Sequence, residues 1–186
     1  PVVIDGTTQP GYTPNHPIIE LSGVSAGSSS VGLRLLAGNS SVRGLIINRF
    51  GAEGIHIEGG GSNVIAGNFV GTDVTGLLPR GNANGVVVNN ASGNVIGGTN
   101  PADRNVISAN GDTGVYLLGA SGNAVQGNYI GTTATGTLDL GNGNNGIALN
   151  NNTTASLIGG ATTAARNLVS GNHGSGIYRV TSSERI

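Results

Sequence analysis

The chain has 186 residues, of which 35 are glycine and 6 are proline, while 9% are charged and 3% aromatic. The glycines follow no Gly-X-Y period, which excludes collagen, and low charge with 37% hydrophobic residues excludes a simple disordered chain. A formal net charge of −1 indicates no nucleic-acid partner, and the absence of cysteine excludes disulfides and thiolate metal sites.

The first residues predict an irregular coil of β-strands. Residues 1–31 contain two short apolar runs, Val2-Val-Ile-Asp and Ile18-Ile-Glu-Leu, on either side of a segment rich in Pro, Gly and Thr that favours turns. No apolar stretch approaches the roughly 18 residues that a membrane-spanning helix needs, so we expect no membrane insertion. The sequence has no Met, and from this we infer that it is part of a larger protein.

A repeat occupies residues 32–180. A glycine followed by alternating apolar residues returns about every thirty positions, a period typical of stacked repeat architectures. This glycine-led segment begins at Gly32, Gly54, Gly85, Gly114, Gly146 and Gly176. Two further apolar segments follow in each repeat, the second after a small polar residue, as in Asn94-Val-Ile, and the third after Asn or Gly, as in Asn105-Val-Ile. Such short β-branched segments indicate strands and tight turns, not helices.

Three strands in each repeat predict an all-β fold, a right-handed parallel β-helix of about five to six coils with three short parallel sheets. We expect a single domain over residues 1–186, with an irregular first coil at 1–31, regular coils at 32–180 and a tail at 181–186. Alternation directs every second side chain of each strand inward, which predicts an aliphatic core. Predicted inward positions include Ile46 and, in the last glycine-led segment, Ile177 and Arg179.

Asparagine recurs at fixed places between the segments, and stacking of the coils would bring these side chains together. Amides repeated along a stack hydrogen-bond to one another. We therefore predict a structural ladder role for the asparagines that precede the second and third segments. They are Asn63, Asn94 and Asn123 before the second segment, and Asn68, Asn105, Asn128 and Asn167 before the third.

The repeats differ in where their longer loop lies. Loops 73–84 and 133–145 follow the third segment, whereas loops 97–104 and 159–166 lie between the second and third segments. Loops of one type are two coils apart, so they are expected on one side of the column.

Two sets of side chains beside these loops have predicted structural roles. Arg104 and Arg166 end the loops of the second type, and Arg43 enters the equivalent strand of an earlier coil. We favour bridging of loop carbonyls by these guanidinium groups over the binding of an anionic glycan. Phe69 and Tyr129 point outward in the third segments and are expected to be covered by the adjacent loops.

A family resemblance rests on three stretches: Asn68-Phe-Val-Gly-Thr-Asp-Val-Thr-Gly, Arg104-Asn-Val-Ile-Ser-Ala-Asn and Asn128-Tyr-Ile-Gly-Thr. The chain resembles the right-handed parallel β-helix of the pectin-lyase-like superfamily, and more closely the NosD-like β-helix repeats of large secreted or surface proteins of bacteria. The resemblance covers residues 32–180. It implies the fold and a secreted or cell-surface location. It leaves the activity open, because the superfamily includes lyases, hydrolases, epimerases, adhesins and passive stalks.

The resemblance also implies that a polysaccharide would bind on the outward face of the glycine-led sheet. Tyr116 and Tyr178 lie on this face two coils apart, about 9.6 Å at the usual strand spacing, and stacked rings at that distance suit sugar faces. The predicted ligand-binding residues are Tyr116, Tyr178, Arg34, His56, Asn89 and Asn150. The alternative interpretation is an ordinary solvated sheet face, with tyrosine favoured by its β propensity.

Catalysis would need charged groups on the same face, where Arg34, His56 and Glu58 are the candidates. A lyase needs a base that removes the proton beside a uronate carboxylate. The sequence has no carboxylate cluster, so we predict no metal site and no cofactor, with calcium expected only in the case of a lyase. The grouped carboxylates of a polygalacturonase-type hydrolase are absent, which places a lyase before a hydrolase.

The leading prediction is a non-catalytic β-helix module of a secreted or cell-surface protein, a rigid scaffold or adhesin-like element that contacts a polysaccharide or cell-surface glycan. A polysaccharide-active enzyme is the alternative. A second alternative is a filament subunit that associates end to end, because the uncapped end of a solenoid exposes unpaired strand edges and an apolar cross-section.

Overall fold

The computed structural model describes residues 1–180, and the tail predicted at 181–186 lies outside the described residues. Two single 3₁₀ turns, Pro101–Asp103 and Thr163–Ala165, accompany the strands. In chain order the strands are β1 (Val3–Asp5), β2 (Ile19–Ser22), β3 (Leu33–Leu35), β4 (Ser41–Arg43), β5 (Leu45–Asn48), β6 (Glu53–Glu58), β7 (Val64–Ala66), β8 (Phe69–Val70), β9 (Asn84–Asn89), β10 (Val95–Gly97), β11 (Val106–Ile107), β12 (Val115–Leu118), β13 (Ala124–Gln126), β14 (Tyr129–Ile130), β15 (Ile147–Asn150), β16 (Leu157–Ile158), β17 (Leu168–Val169) and β18 (Ile177–Arg179).

The strands form three parallel sheets of six strands each. The chain visits the three sheets in turn, so neighbouring strands of one sheet are three elements apart. The glycine-led sheet has the order β3-β6-β9-β12-β15-β18, the second sheet the order β1-β4-β7-β10-β13-β16, and the third sheet the order β2-β5-β8-β11-β14-β17. This arrangement confirms the predicted all-β, right-handed parallel β-helix with three short sheets.

The core is the predicted aliphatic column. Alternation directs Ile55 inward from β6 and, in register with it, Val86 from β9, and both side chains are fully buried. Ile96 from the second sheet and Ile107 from the third join them in one continuous cluster. Burial of aliphatic side chains in several layers explains how a chain with so few aromatic residues forms a core.

The predicted inward position of Ile46 is wrong. Ile47, not Ile46, joins the main core, while Ile46 packs outside the third sheet with Phe69 and Val106. The register explains the difference, because Ile46 pairs with Phe69 and Ile47 with Val70. Three consecutive apolar residues in β5 hide the alternation from the sequence.

The last coil departs from the core pattern. Ile177 faces the open end of the column and is 55% exposed. Arg179 pairs in register with Leu149 at an inward position, as predicted. The aliphatic column therefore ends at β18 among the described residues.

Both predicted asparagine ladders are present. In the ladder before the third sheet, the Asn68 Nδ2 atom donates to Asn105 Oδ1 at 3.1 Å, and Asn105 Nδ2 donates to Asn128 Oδ1 at 2.9 Å. The ladder continues to Asn167, and the ladder before the second sheet runs through Asn63, Asn94 and Asn123 in the same way. These side chains tie successive coils together.

A third ladder, which the sequence prediction missed, occupies the remaining corner of the column. Its members are Asn82, Asn110, Asn142 and Asn172, and their amides are joined by hydrogen bonds of 3.0, 2.9 and 2.8 Å. Each member lies three or four residues before the glycine of a glycine-led strand. All three corners of the coil therefore carry a stack of asparagines.

The loops after the third sheet stack directly on each other. The Ala134 amide of loop 133–145 donates to the Gly76 carbonyl of loop 73–84 at 2.9 Å. Loop 73–84 covers Phe69, whose side chain is fully buried, and loop 133–145 lies against the ring of Tyr129 through Gly136. These contacts confirm that the two aromatic residues lie under the loops.

Candidate functional site

The outward side of the glycine-led sheet carries two parallel rows of side chains, and we call it the outer face. The parallel register orders the first row as Arg34, His56, Val87, Tyr116, Ala148 and Tyr178. The second row follows near the C-terminal ends of the strands and contains Glu58, Asn89, Leu118 and Asn150. All the residues proposed from the sequence as ligand-binding or catalytic therefore lie on the outer face.

Charged side chains meet at the N-terminal end of the outer face. The Arg34 Nη2 atom donates to Glu58 Oε2 at 2.6 Å between β3 and β6. The His56 imidazole lies between two carboxylates, with Nδ1 3.6 Å from Glu53 Oε2 and Nε2 3.9 Å from Glu58 Oε2. We call Arg34, Glu53, His56 and Glu58 the acid–base cluster.

Glu58 and His56 have different environments within the acid–base cluster. The hydrogen bond from Arg34, followed by the Arg34 charge, lowers the pKa of Glu58, and the His56 charge acts in the same direction. Glu58 is therefore ionised at neutral pH and suits hydrogen-bond acceptance better than proton donation. The His56 side chain is only 16% exposed, and its Nε2 atom has no hydrogen-bond partner in the described part of the chain.

The contacts at the other end of the outer face are between neutral groups. Asn150 Nδ2 donates to the Tyr116 hydroxyl at 2.9 Å between β12 and β15. The Asn150 Oδ1 atom has no hydrogen-bond partner within residues 1–180, and the Tyr178 side chain next along the row is exposed. We call Tyr116, Asn150 and Tyr178 the aromatic–amide cluster. Asn89 lies apart from this cluster, since its Oδ1 accepts from Asn90 at 3.0 Å.

Val87 divides the outer face. It lies between His56 and Tyr116 in the row and is buried although it points outward. Ala148 lies within the aromatic–amide cluster, between Tyr116 and Tyr178, and is also buried. The outer face therefore presents two polar clusters, one charged and one neutral.

Two of the three arginines beside the loops, Arg104 and Arg43, have structural contacts. The Arg104 Nε atom donates to the Gly127 carbonyl at 3.2 Å, and its guanidinium lies 4.1 Å from the centre of the Tyr129 ring. Arg43 donates through Nη1 to Asp103 Oδ1 at 2.8 Å and so fixes loop 97–104. The predicted bridging to a loop carbonyl occurs at Arg104, whereas Arg43 uses a carboxylate.

The sequence prediction did not include Glu53 among the site residues. Glu53 directly precedes Gly54, so simple alternation along β6 does not place it with His56 and Glu58. The strand register shows that Glu53 belongs to the site, because Glu53 pairs with Asn84 of the next coil. Both residues occupy the position directly before the glycine of a glycine-led strand. Five coils have a polar residue at that place, which forms a third polar row that the sequence shows once the coils are aligned on glycine: Glu53, Asn84, Thr113, Asn145 and Ser175.

Within residues 1–180, no group of three or more His, Cys, Asp or Glu side chains is placed to hold a metal ion. The described residues also contain no helix long and apolar enough to cross a membrane. No protein-family model, curated protein or solved structure matches the sequence. The parallel β-helix is thus shown by the structure itself, and the finer assignment rests on the two clusters of the outer face.

Proposed function

We propose that the protein is a rigid β-helix scaffold of a secreted or cell-surface protein. The observation that carries the proposal is the presence of an asparagine ladder at each corner of the column, as at Asn68, Asn105 and Asn128. Buried amide hydrogen bonds between coils oppose bending and sliding of one coil on the next. The extracellular location is supported by the resemblance to NosD-like repeats of the pectin-lyase-like superfamily.

We further propose that the scaffold is adhesin-like and binds a glycan through the aromatic–amide cluster. The tyrosine rings offer apolar faces for sugar rings, and their hydroxyls offer hydrogen bonds. Asn150 Nδ2 holds the Tyr116 hydroxyl in place at 2.9 Å, and the exposed Tyr178 side chain lies further along the same row as Tyr116. These groups are uncharged, so the cluster suits the hydroxyls of a polysaccharide or cell-surface glycan.

Retention in affinity electrophoresis against neutral and uronate polysaccharides tests this binding. The double variant Tyr178→Ala with Asn150→Ala should lose retention on any polysaccharide that retards the native protein. Tyr129→Phe is the matched control, because it removes a tyrosine hydroxyl from a different sheet and should leave retention unchanged. If the double variant is retained as strongly as the native protein, the aromatic–amide cluster is not the glycan-binding site.

The acid–base cluster favours a second candidate function, that of a polysaccharide lyase. The exposed Arg34 guanidinium is placed to pair with a uronate carboxylate. The His56 imidazole would take the proton from the carbon beside that carboxylate as the glycosidic C–O bond breaks, giving an unsaturated uronate, and would pass the proton to the departing sugar oxygen. The resemblance implies calcium for such a lyase, but the described residues offer no suitable ligand group, so no step through calcium is proposed.

Absorbance of unsaturated products from a panel of uronate polysaccharides tests the lyase candidate. His56→Gln should abolish product formation and Arg34→Gln should raise KM, because the two side chains act on the proton and on the carboxylate. Glu20→Gln, which changes an exposed carboxylate on the third sheet, is the control. Absence of unsaturated product from the native protein, or product formation unaffected by His56→Gln, would exclude this candidate.

A further inference from the structure

Four asparagines of the chain are followed directly by glycine, a pair that is chemically unstable in a flexible chain. Asn110 and Asn142 belong to the third ladder. Asn84 and Asn145 belong to the third polar row of the glycine-led sheet. Because glycine has no side chain, its main-chain nitrogen can reach the preceding Cγ atom with little steric hindrance. Every asparagine of the other two ladders is followed by a residue that has a side chain.

The reaction open to such a pair is deamidation through a cyclic imide. The glycine nitrogen loses its proton and forms a bond with Cγ of the asparagine. The C–N bond of the side-chain amide breaks, and its nitrogen takes up a proton and leaves as ammonia. Water then opens the ring at either carbonyl and gives aspartate or isoaspartate. The net change exchanges ammonia for water, and no group is oxidised or reduced.

The folded column blocks this reaction at all four pairs. The attacking nitrogen must be free, yet each of the four glycine amides donates a main-chain hydrogen bond. Gly111 donates to the Asn82 carbonyl and Gly143 to the Asn110 carbonyl, both at 2.8 Å. The glycines of the two polar-row pairs donate to the next coil at 3.0 and 2.9 Å.

The third ladder also fixes the side-chain amides that would be attacked. Asn110 Oδ1 accepts from the main-chain and side-chain nitrogens of Asn82 at 3.2 and 3.0 Å, and Asn110 Nδ2 donates to Asn142 Oδ1 at 2.9 Å. Asn110 and Asn142 are buried, so the water that opens the ring is excluded as well. The reaction therefore requires prior opening of the coil.

The third ladder cannot accept the product of this reaction. Asn110 Nδ2 donates to three acceptors, which are the Val70 and Ser108 carbonyls and Asn142 Oδ1. A carboxylate oxygen in its place would repel all three and would bring an unpaired charge into a buried site. Isoaspartate would in addition lengthen the main chain at the turn by one carbon and displace the stack.

The third polar row, by contrast, accepts a carboxylate. Glu53 already occupies this row, in register with Asn84. Asn84 Oδ1 accepts from the Thr113 amide at 3.2 Å, and an aspartate oxygen can accept the same hydrogen bond. The damage from deamidation is therefore concentrated at the two ladder positions.

We propose that Asn110 and Asn142 are deamidation sites that the fold shields, and that they make prolonged unfolding of the column irreversible. A chain that stays unfolded at neutral pH converts these two positions and can no longer rebuild the third ladder. The folded protein keeps its amides, so its lifetime is set by the rate of unfolding. This property depends on neither the location nor the ligand of the protein.

Mass spectrometry of peptides from folded and denatured protein at neutral pH tests the shielding. Loss of the Asn110 amide should be at least about a hundredfold slower in the folded protein than in guanidinium chloride, because the coil must first open. Gly111→Ala is the matched control, since a Cβ there meets its nearest neighbours at an ordinary 3.6 Å and the fold is kept. In denaturant this variant should retain the Asn110 amide and lose that of Asn142. Equal rates in the folded and denatured native protein would overturn the proposal.

Refolding after timed incubation in guanidinium chloride tests the consequence. Recovery of folded protein, followed by circular dichroism, should fall in step with loss of the Asn110 and Asn142 amides at neutral pH. It should persist at about pH 5, where the glycine nitrogen loses its proton more rarely. Gly111→Ala should about halve the rate of loss, because one of the two ladder pairs remains. Full recovery of chains that have lost both amides would overturn the proposal.

Two substitutions compare the ladder and the polar row in fresh protein. Asn110→Asp should unfold at a much lower urea concentration than the native protein or fail to fold, since it places a carboxylate among the acceptors of the third ladder. Asn84→Asp should unfold at the native midpoint. A native midpoint for Asn110→Asp would show that the ladder tolerates the product, and the proposal would be wrong.

Discussion

A ladder asparagine uses both sides of its amide. Asn105 Oδ1 accepts from the main-chain and side-chain nitrogens of Asn68, while its Nδ2 donates to Asn128 Oδ1 and to the Ile65 carbonyl at 2.8 Å. The side chain is fully buried, so water cannot replace any of these partners. The ladder thus satisfies polar groups at a corner where the strands end and the main chain turns.

Replacing Asn105 with Ala should destabilise the protein by about 3 kcal/mol, because it leaves several buried donors and acceptors without partners. Equilibrium denaturation in urea measures the change. The control Asn144→Ala removes an exposed asparagine outside the ladders and should shift the free energy of unfolding by less than about 0.5 kcal/mol. Equal effects of the two substitutions would show that the ladder adds nothing to stability.

The ladder residues that the sequence predicted are those that directly precede a short apolar segment. Asn63, Asn94 and Asn105 are each followed by Val-Ile, and their ladders were predicted. The ladder through Asn82 and Asn110 was missed, because Ala83 and Gly111 follow these asparagines and no apolar segment marks the position. An asparagine that stacks within a turn, away from a strand, therefore has no neighbouring pattern that reveals it.

The paired loops after the third sheet show how one element tolerates different residues. Asp73 accepts hydrogen bonds from the Thr75 hydroxyl at 2.8 Å and from the Leu77 and Leu78 amides at 3.2 and 3.1 Å. Thr133 takes the same place in the second loop, where its hydroxyl contacts that of Thr135 at 2.9 Å. The two turns have the same fold, but only the turn of residues 73–78 has a carboxylate at this place, since the carboxylate of loop 133–145, Asp139, accepts from the Gly141 amide at 2.9 Å further along the loop.

Acidification should therefore loosen the turn of residues 73–78 and spare the equivalent turn of residues 133–138. Burial opposes ionisation of Asp73, but the hydrogen bonds from Leu78, Thr75 and Leu77 together lower its pKa below the ordinary value of 3.8. A lowered pKa in the folded state contributes stability at higher pH that is lost as the pH falls through the folded-state value, here below about pH 4. Hydrogen exchange of the two loops between pH 6 and pH 3, corrected for intrinsic rates, measures the difference.

The Asp73→Asn variant is the control for this pH effect, since its loop should exchange at a rate that no longer depends on acidification. Parallel behaviour of the turns of residues 73–78 and 133–138 in the native protein would contradict the role given to the Asp73 carboxylate.

Contact between the stacked loops depends on glycine at their turns. Gly76 has a φ of +67°, and a Cβ there would lie 2.5 Å from Ala134 Cβ and 2.8 Å from the Phe69 ring. Gly76→Ala should cost about 3 kcal/mol in unfolding free energy, from the left-handed backbone and from the clash. Gly59→Ala separates the two causes, because Gly59 has a φ of +74° with nothing within 4 Å of such a Cβ. It should cost only about 1 kcal/mol.

The strands were predictable as elements, whereas the candidate site was predictable only in part. Alternation along each strand placed Arg34, His56 and Glu58 on one face, as the structure shows. Their division from the tyrosines was not predictable, because it depends on the burial of Val87 between neighbouring side chains. A pattern of residue types predicts the face on which a side chain lies, but it does not predict how that side chain packs between adjacent coils.

The whole molecule is a one-dimensional stack, because each strand pairs only with the coil before and the coil after it. In such a stack, stability is close to a sum of terms for single coils and for contacts between neighbours. Coils in the middle have two neighbours, whereas the edge coils have one and expose aliphatic side chains such as Ile177. Loss of structure should therefore start at the edges and move inward.

Substitutions at equivalent inward positions test this order. Ile96→Ala, in the fully buried middle of the second sheet, should lower the stability by about 3 kcal/mol and speed hydrogen exchange on both sides of β10. Ile158→Ala, at the same register position in the edge strand β16, should lower it less and affect the last coil alone. An edge coil that exchanges as slowly as β10 in dilute protein would contradict inward unfolding of the column.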